Sequence, residues 1–258
     1  MGMSLGGNFD NQDVAAIDSV YVVVPAEAYT RAGFSRVFSY GALKRGLDLL
    51  LASLMLVILS PLFVVVAIAI KLDSKGPVFF RQVRTGKNGK EFEMYKFRSM
   101  TADNDMNDRT SENKMTRVGA KLRQTSIDEL PQLINIVKGE MSFIGPRPWV
   151  PAYWKNMNAH ERRRGRVRPG ITGLAQANGR NGLSIHERIN YDLEYVQRYS
   201  LRMDVTVVLL TVKTVLSKAG AEADKSQMFN DISELKRENR RVRPATSISL
   251  QEMATKVL

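Results

Sequence analysis

The chain has 258 residues, enough for one sizeable core with tails, and its formal charge of +12 favours an anionic partner: nucleic acid, an acidic membrane face or a phosphorylated substrate. Without cysteine there is neither a disulfide nor a thiolate metal site, and with only His160 and His186 a serine–histidine triad or a multi-histidine zinc centre is disfavoured. Carboxylates are the chemical groups that remain.

Asp10, Asp13 and Asp18 come before any apolar run, the reverse of a secretion signal. Residues 20–25 can form one short strand, and residues 1–40 read as a poorly ordered or partner-dependent extension. Residues 47–70 are apolar apart from Asp48, Ser53, Ser60 and Pro61, and about two dozen helical residues match a bilayer core in length. A single spanning helix is the plain expectation. However, Lys44 and Arg45 flank one end and Lys71 and Lys75 the other, whereas a spanning helix concentrates its positive flank on one side. Pro61 has no amide hydrogen and so releases the carbonyl of Val57, while Ser60 can bond back to a nearby carbonyl. A helix that breaks at Ser60-Pro61 and leaves by the face it entered accommodates both details. Proline kinks also occur in spanning helices, so composition leaves both arrangements open.

Residues 76–100 have the pattern of a β-hairpin: a Val- and Phe-rich run to Arg84, the turn signal Asn88-Gly89, and a second strand over 92–97. Arg81, Arg84, Lys96 and Arg98 either converge on one surface or simply solvate the hairpin. Lys96 and Arg98 are the better site candidates, because alternation sets them on one face, opposite Tyr95 and Phe97. Residues 101–116, with Asp103, Asp105, Asp108 and Glu112, read as a loop without the glycine and glutamate offsets of a calcium site.

Residues 125–148 carry the most chemistry: adjacent carboxylates, Asp128 and Glu129, followed by Arg147. A carboxylate can attack phosphorus or hold a divalent metal, and an arginine neutralises the oxygens of a group in transfer. Ser126 and Glu129 also match a capping box, with Pro131 acceptable in the first turn, so a purely structural role is available. The roles are compatible, since a helix N-terminus receives phosphate oxygens and keeps Asp128 ionised, as a nucleophile must be. Two carboxylates repel a diphosphate, so the chemical reading calls for Mg²⁺ and for guanidinium groups, which Arg123 and Arg147 supply.

Arg162, Arg163, Arg164, Arg166 and Arg168 form a basic run without aromatic interleaving, an RNP motif or zinc-finger spacing, which argues against nucleic acid. Pro169-Gly170-Ile171-Thr172-Gly173 is either an anion-binding turn or a tight connection. Asp192 sits among helically spaced aromatics, Tyr191 to Tyr199, whose packing needs no ligand. Residues 204–218 are apolar and too short to span a bilayer, suiting its interface or the core. Alternating charges from Glu234 to Arg241 suit a solvated helix or tail.

The ordered series Lys44-Arg45, Ser60-Pro61, Gly76-Pro-Val-Phe-Phe-Arg-Gln, Tyr95-Lys-Phe-Arg-Ser-Met, Asp128-Glu-Leu-Pro-Gln, Gly145-Pro-Arg-Pro, Arg168-Pro-Gly-Ile-Thr-Gly and Asp192 before Tyr195-Val196 resembles the small monotopic phosphoglycosyltransferases. These are bacterial sugar transferases that start the assembly of lipid-linked glycans. The resemblance implies an α+β fold: a re-entrant helix-break-helix over 44–72, then a small cytoplasmic helical domain over 73–218 containing a β-hairpin and interfacial amphipathic helices. It leaves an N-terminal extension, 1–43, and a polar tail, 219–258; larger relatives carry extra membrane helices ahead of the catalytic unit.

The implied activity is transfer of phosphosugar from a UDP-sugar to a polyprenol phosphate such as undecaprenyl phosphate, on the cytoplasmic face of the bacterial inner membrane, initiating exopolysaccharide, capsule or glycoprotein glycan synthesis. In that mechanism Asp128 attacks the β-phosphate, UMP leaves, and the polyprenol phosphate takes the phosphosugar from the aspartyl intermediate. Glu129 assists as a metal ligand or as a base, with Mg²⁺ as cofactor. Lys96, Arg98, Arg123 and Arg147 hold phosphate oxygens, and Asp192 is a matching acid without a defined role. Gly179-Arg180-Asn181 resembles a segment of members that use N-acetylated sugars, compatible with a UDP-N-acetylhexosamine donor. Self-association or glycan-assembly partners are open, as is the alternative of a membrane-tethered scaffold, against which the intact Asp-Glu pair argues.

Overall fold

A computed structural model describes residues 31–101, 115–179, 182–216 and 230–237. The expectations for residues 20–25, 102–114, Arg180, Asn181 and 238–241 lie outside the described residues. The chain divides into two units, Met1–Ser39 and Tyr40–Leu258, the first described only where the opening helix begins.

Helix α1 (Arg31–Ile58) stops where the sequence removes a hydrogen-bond donor. Pro61 cannot donate to the carbonyl of Val57, and the Ser60 hydroxyl donates to it instead at 2.8 Å. Helix α2 (Ser60–Asp73) restarts with Pro61 in its first turn, where the missing amide has no partner to lose. The two helices bend by 60° at the break. Among the described residues no single helix is long and apolar enough to cross a membrane, but the bent pair has the length and composition to enter one. Leu50, Val57, Ile58, Val64 and Val65 point outward, an apolar surface larger than water readily tolerates.

The basic residues at the foot of α1 are held inside the fold. Lys44 Nζ and the Tyr40 hydroxyl both donate to Asp204 Oδ2 at 2.5 Å, and the Tyr195 hydroxyl lies 2.6 Å from Asp204 Oδ1. Arg45 donates to the carbonyls of Ile136 and Val137, and Asp48 accepts from the Phe143 amide. Lys44 and Arg45 are therefore anchors for the apolar helix pair as well as charges beside it.

Strands β1 (Phe79–Thr85) and β2 (Glu91–Phe97) form the expected antiparallel hairpin, with Phe80 opposite Lys96 and Arg84 opposite Phe92. Asn88 and Gly89 take φ values of +56° and +81°, as the turn signal requires. A β-carbon on Gly89 would also stand 2.7 Å from the Trp154 ring, so the tip admits no larger residue. Helix α3 (Arg117–Gln124) is capped by Thr116 and by Asp73, which accepts from the Val118 amide. Helix α4 (Gln132–Lys138) follows, then the parallel pair β3 (Ser142–Ile144) and β4 (Gly170–Thr172). Short helices α5 (Pro151–Asn156) and α6 (Leu174–Ala177) precede α7 (Ile185–Gln197) and α8 (Leu201–Leu216). A last helix, α9, covers residues 230–237.

Strand β2 joins two apolar clusters. Phe92 and Met94 pack with Ala52 of α1 and with Leu133 and Ile136 of α4, whereas Phe97 packs with Val66 and Ile70 of α2 and Leu122 of α3. The Pro-Gly-Ile-Thr-Gly segment makes a tight crossing over Gly145. A β-carbon on Gly170 would come within 2.1 Å of the Gly145 amide nitrogen, and one on Gly173 within 2.2 Å of the Gly145 carbonyl oxygen.

Asp204 is the buried counter-ion of the helix-pair foot. Asp204→Ala, which strands the Lys44 charge, should lower stability by about 3–5 kcal/mol in denaturation of the detergent-solubilised protein. A change within experimental error would remove this anchor from the description.

Candidate active site

Asp128 and Glu129 occupy a 3₁₀ turn, Ile127–Glu129, that leaves α3 through a reversal at Ser126. Ser126 has φ +57°, a left-handed conformation that costs a non-glycine residue about 1–3 kcal/mol and that is found at functional sites. In this conformation its side chain makes no cap bond, so the capping box expected from Ser126 and Glu129 does not form. Among the described residues a capping box forms instead at Ser184 and Glu187, opening α7. The turn aims its two carboxylates into the fold rather than along a helix axis.

Glu129 Oε1 accepts from Lys96 Nζ at 2.7 Å and from Arg147 Nη2 at 3.0 Å. Lys96 comes from β2, whose edge is held by Asn135 of α4. The Asn135 side chain accepts from the Tyr95 amide and donates to the Glu93 carbonyl, as a neighbouring strand would. Arg147 lies in a segment held by its backbone. The carbonyls of Pro146, Arg147, Pro148 and Trp149 accept, in that order, from the Gly170 amide, Arg164 Nη2, Arg84 Nη1 and the Thr85 amide. With the main chain fixed, the Arg147 guanidinium is directed at Glu129. Its side chain is 42% exposed, so it meets both Glu129 and solvent.

Burial alone would raise the Glu129 carboxyl, but Lys96 and Arg147 more than offset it and hold the group far below the ordinary carboxylate range. A carboxyl that acidic is a poor general base, which weakens one of the two roles expected for it. Asp128 behaves oppositely: burial, with a smaller push from the Glu129 charge, raises its pKa against the pull of Lys96, Arg123 and Arg147. Asp128 is buried as a residue, 7% exposed, and its carboxylate makes no hydrogen bond among the described residues, while its oxygens are not among the fully enclosed unpartnered atoms and so reach solvent. A carboxylate in a largely buried residue whose oxygens have no protein donor is chemically available.

Of the residues expected at the site, Lys96, Asp128, Glu129 and Arg147 come together. Arg123, whose Nε donates to Ser99 Oγ at 3.1 Å, acts on Asp128 at longer range. Arg98 is directed elsewhere. Strand β2 ends at Phe97, and the Arg98 guanidinium donates to the carbonyls of Ser74 and Lys75 and to Ser74 Oγ, closing the C-terminus of α2. Asp192 is buried against Arg164, accepting from its Nε and Nη2 at 2.9 and 2.6 Å, and so acts through Arg164 on the Arg147 carbonyl. Ser60 and Pro61 make the helix break and are not part of this cluster.

Arg84 and Arg164 were missing from the expected set. Arg84 sits beside Arg147 and Glu129, and burial, with Arg147 next, pushes its pKa down to about 10. Its position was accessible from the hairpin: a turn centred on Asn88 pairs Phe80 with Lys96 and sets Arg84 on the Lys96 face. Arg164, lying 3.9 Å from the centre of the Trp149 ring, had no comparable signal within its basic run.

Among the described residues no group of three or more His, Asp or Glu side chains could hold a metal ion. Magnesium often takes one or two carboxylates and completes its shell with water and substrate phosphates, and the open Asp128 carboxylate fits that mode better than Glu129, whose Oε1 already serves two cations. Those cations also cancel much of the repulsion that seemed to make a divalent ion necessary.

A family model described as bacterial sugar transferase matches residues 39–218. The UDP-glucose:undecaprenyl-phosphate glucose-1-phosphate transferase of Klebsiella pneumoniae is 41% identical over 202 residues, 74% of this chain and 42% of that protein. The uncharacterized sugar transferase EpsL of Bacillus subtilis is 41% identical over 182 residues, 70% of this chain and 90% of EpsL. The UDP-N-acetylgalactosamine-undecaprenyl-phosphate N-acetylgalactosaminephosphotransferase of Aeromonas hydrophila is 38% identical over 193 residues, 70% of this chain and 45% of that protein. The chain thus spans less than half the length of the Klebsiella and Aeromonas proteins and nine-tenths of EpsL.

The Glu129 pairing predicts a pH dependence of stability. Its folded pKa lies below the unfolded value of about 4.3, so its charge stabilises the fold fully above that value and the contribution is lost as pH falls toward the folded one. In denaturant titrations, Glu129→Gln should be less stable than the parent chain at neutral pH, with the gap narrowing below about pH 4. A gap independent of pH would count against the pairing.

Proposed function

The chain belongs to the bacterial sugar transferase family, and from that premise we propose that it moves a sugar 1-phosphate from a UDP-sugar to undecaprenyl phosphate or a similar polyprenol phosphate. The observation that carries the proposal is the Asp128 carboxylate: on a largely buried residue, without a hydrogen bond among the described residues, and beside a neighbour whose charge two cations already neutralise.

In the first step an Asp128 oxygen attacks the β-phosphorus, the bond from that phosphorus to the bridging oxygen breaks, and UMP departs with the electron pair. The phosphosugar is left as a mixed anhydride on Asp128. In the second step a phosphate oxygen of the polyprenol phosphate attacks the same phosphorus and releases the carboxylate. Lys96 and Arg147 face the charge that develops on the transferred group, and Arg84 and Arg123 add positive potential behind them. Glu129 fixes the positions of Lys96 and Arg147. Magnesium bound with the diphosphate would shield its charge and polarise its phosphoryl oxygens.

The acceptor is a lipid, and the exposed apolar surface suits delivery from a bilayer. Along α8, Leu201, Val205, Leu209 and Val212 form an outward stripe at helical spacing, which suits an interfacial position beside the bent α1–α2 pair. We place that pair in the cytoplasmic leaflet with both flanks on one side. Labelling single cysteines at the exposed positions 42 and 75 in oriented vesicles should then modify both from the same side, and labelling from opposite sides would overturn this placement.

Asp128→Asn should fold normally and lose UMP release by about a thousand-fold or more, and Lys96→Ala should lose about a hundred-fold. Full activity in Asp128→Asn would end the covalent proposal. Because Asp128 must be ionised to attack and its pKa is raised, kcat/KM should fall with decreasing pH at a value above the ordinary 3.9 or so of aspartate. An acid limb at or below the ordinary value would contradict that assignment.

A further inference from the structure

The family model ends at residue 218, yet helix α9, residues 230–237, is docked beside the segment that carries Arg147. Its alternating charges suggested a solvated element, but Leu235 is fully buried and Ile232 packs with it. Both lie against a cluster formed by Trp149, Tyr153, Met157, Ile185, Ile189 and Leu193. The polar side of the contact is equally specific. Asp231, 6% exposed, accepts from the Tyr153 hydroxyl at 2.8 Å and from Arg188 Nη2 at 2.6 Å.

Each of these partners leads back to the site. The Tyr153 ring lies 4.8 Å from the Trp149 ring, and the Arg188 guanidinium lies 5.7 Å from the same ring centre. Trp149 also meets Arg164, at 3.9 Å, and Arg164 holds the Arg147 carbonyl. Trp149 is two residues from Arg147, and its own carbonyl is bonded to the Thr85 amide on the hairpin. Arg164 needs its place against Trp149, because its guanidinium must satisfy Asp192 and the Arg147 carbonyl together.

We propose that α9 is a positioning element for Arg147: Asp231 and Leu235 set Tyr153, Arg188 and Trp149, and Trp149 with Arg164 sets the backbone from which Arg147 reaches Glu129. This rests on the activity proposed above. Asp231 and Leu235 touch no reacting atom, and they lie beyond the residues that the family model matches, so an element outside that match completes a site within it. Without it, Arg147 loses alignment with the transferred phosphoryl group while Lys96, held separately through Asn135, stays in place.

Leu235→Asp and Asp231→Ala, made in the full chain, test this with two readouts. The first is tryptophan emission, since both tryptophans, Trp149 and Trp154, pack at this cluster. The second is kcat/KM for the UDP-sugar, measured in the parent chain and in an Arg147→Ala background. Undocking should shift the emission to the red and lower kcat/KM about tenfold in the parent background, with less than about a twofold further loss when Arg147 is already absent. Lys236→Ala, on the exposed side of α9, should change neither. Unchanged emission in both variants would overturn the docking. A red shift with unchanged kcat/KM, or an equal loss in both backgrounds, would overturn the positioning role. A parent chain inactive with every UDP-sugar would count against the proposed activity instead, and the emission would still decide whether α9 docks.

Discussion

One carboxylate oxygen organises the candidate site: Glu129 Oε1, shared by Lys96 and Arg147. Those cations lie 33 and 18 residues away in sequence and arrive on separately built supports, the hairpin and the Gly-Pro-Arg-Pro segment. Taking the Lys96 and Glu129 charges largely out of water is expensive unless each is paired, so disturbing either support leaves a charge poorly compensated. The pairing also determines what remains for Asp128. Its neighbour's charge is absorbed, its own carboxylate accepts no hydrogen bond among the described residues, and cationic surroundings keep a phosphate oxygen attractive there.

The supports share a design in which the backbone is fixed so that one side chain is aimed. Asn135 occupies the open edge of β2 as a strand would, and four consecutive carbonyls from Pro146 to Trp149 each receive a donor. Two of those donors are arginine side chains, Arg84 and Arg164, so these arginines near the site hold backbone as well as adding positive charge. Positive charge is needed to receive a diphosphate, and the fold uses part of that same charge to satisfy its own buried carbonyls. The foot of the apolar helix pair follows a similar rule, with Lys44 on Asp204 and Arg45 on the end of α4.

The hairpin, its Asn88-Gly89 turn and the Ser60-Pro61 break were legible because each rests on local chemistry: strand alternation, a positive φ, a missing amide. Asp128, Glu129, Lys96 and Arg147 were found through residue type and motif, and the structure brings them together. Arg98 was placed by parity alone, which fixes a face but not a partner: its amide continues the pairing to the Val78 carbonyl, while its guanidinium turns to Ser74 and Lys75 at the end of α2. The capping box at Ser126 failed because a spacing pattern does not report φ, and that residue adopts the left-handed conformation. Arg164 and Asp192 could not be paired from sequence, since nothing local distinguishes a buried arginine within a run of solvated ones. The apolar side of α9 was hidden for a similar reason: Ile232 and Leu235 are two residues among many charges, and their burial depends on a surface made by α5 and α7.

Exposed apolar residues along α1, α2 and α8 and a cationic cluster that meets solvent at Arg147 match the two needs of the proposed transfer, a lipid acceptor and a water-soluble nucleotide sugar. The central claim is that Asp128 carries the phosphosugar between them. The most direct measurement is peptide-mapping mass spectrometry of the protein after incubation with a UDP-sugar in the absence of polyprenol phosphate. A mass increment of one phosphosugar on the peptide containing Asp128, lost on addition of the lipid acceptor, is the predicted result. Turnover of the same sample to lipid-linked product with no adduct at Asp128 under rapid acid quench would contradict it.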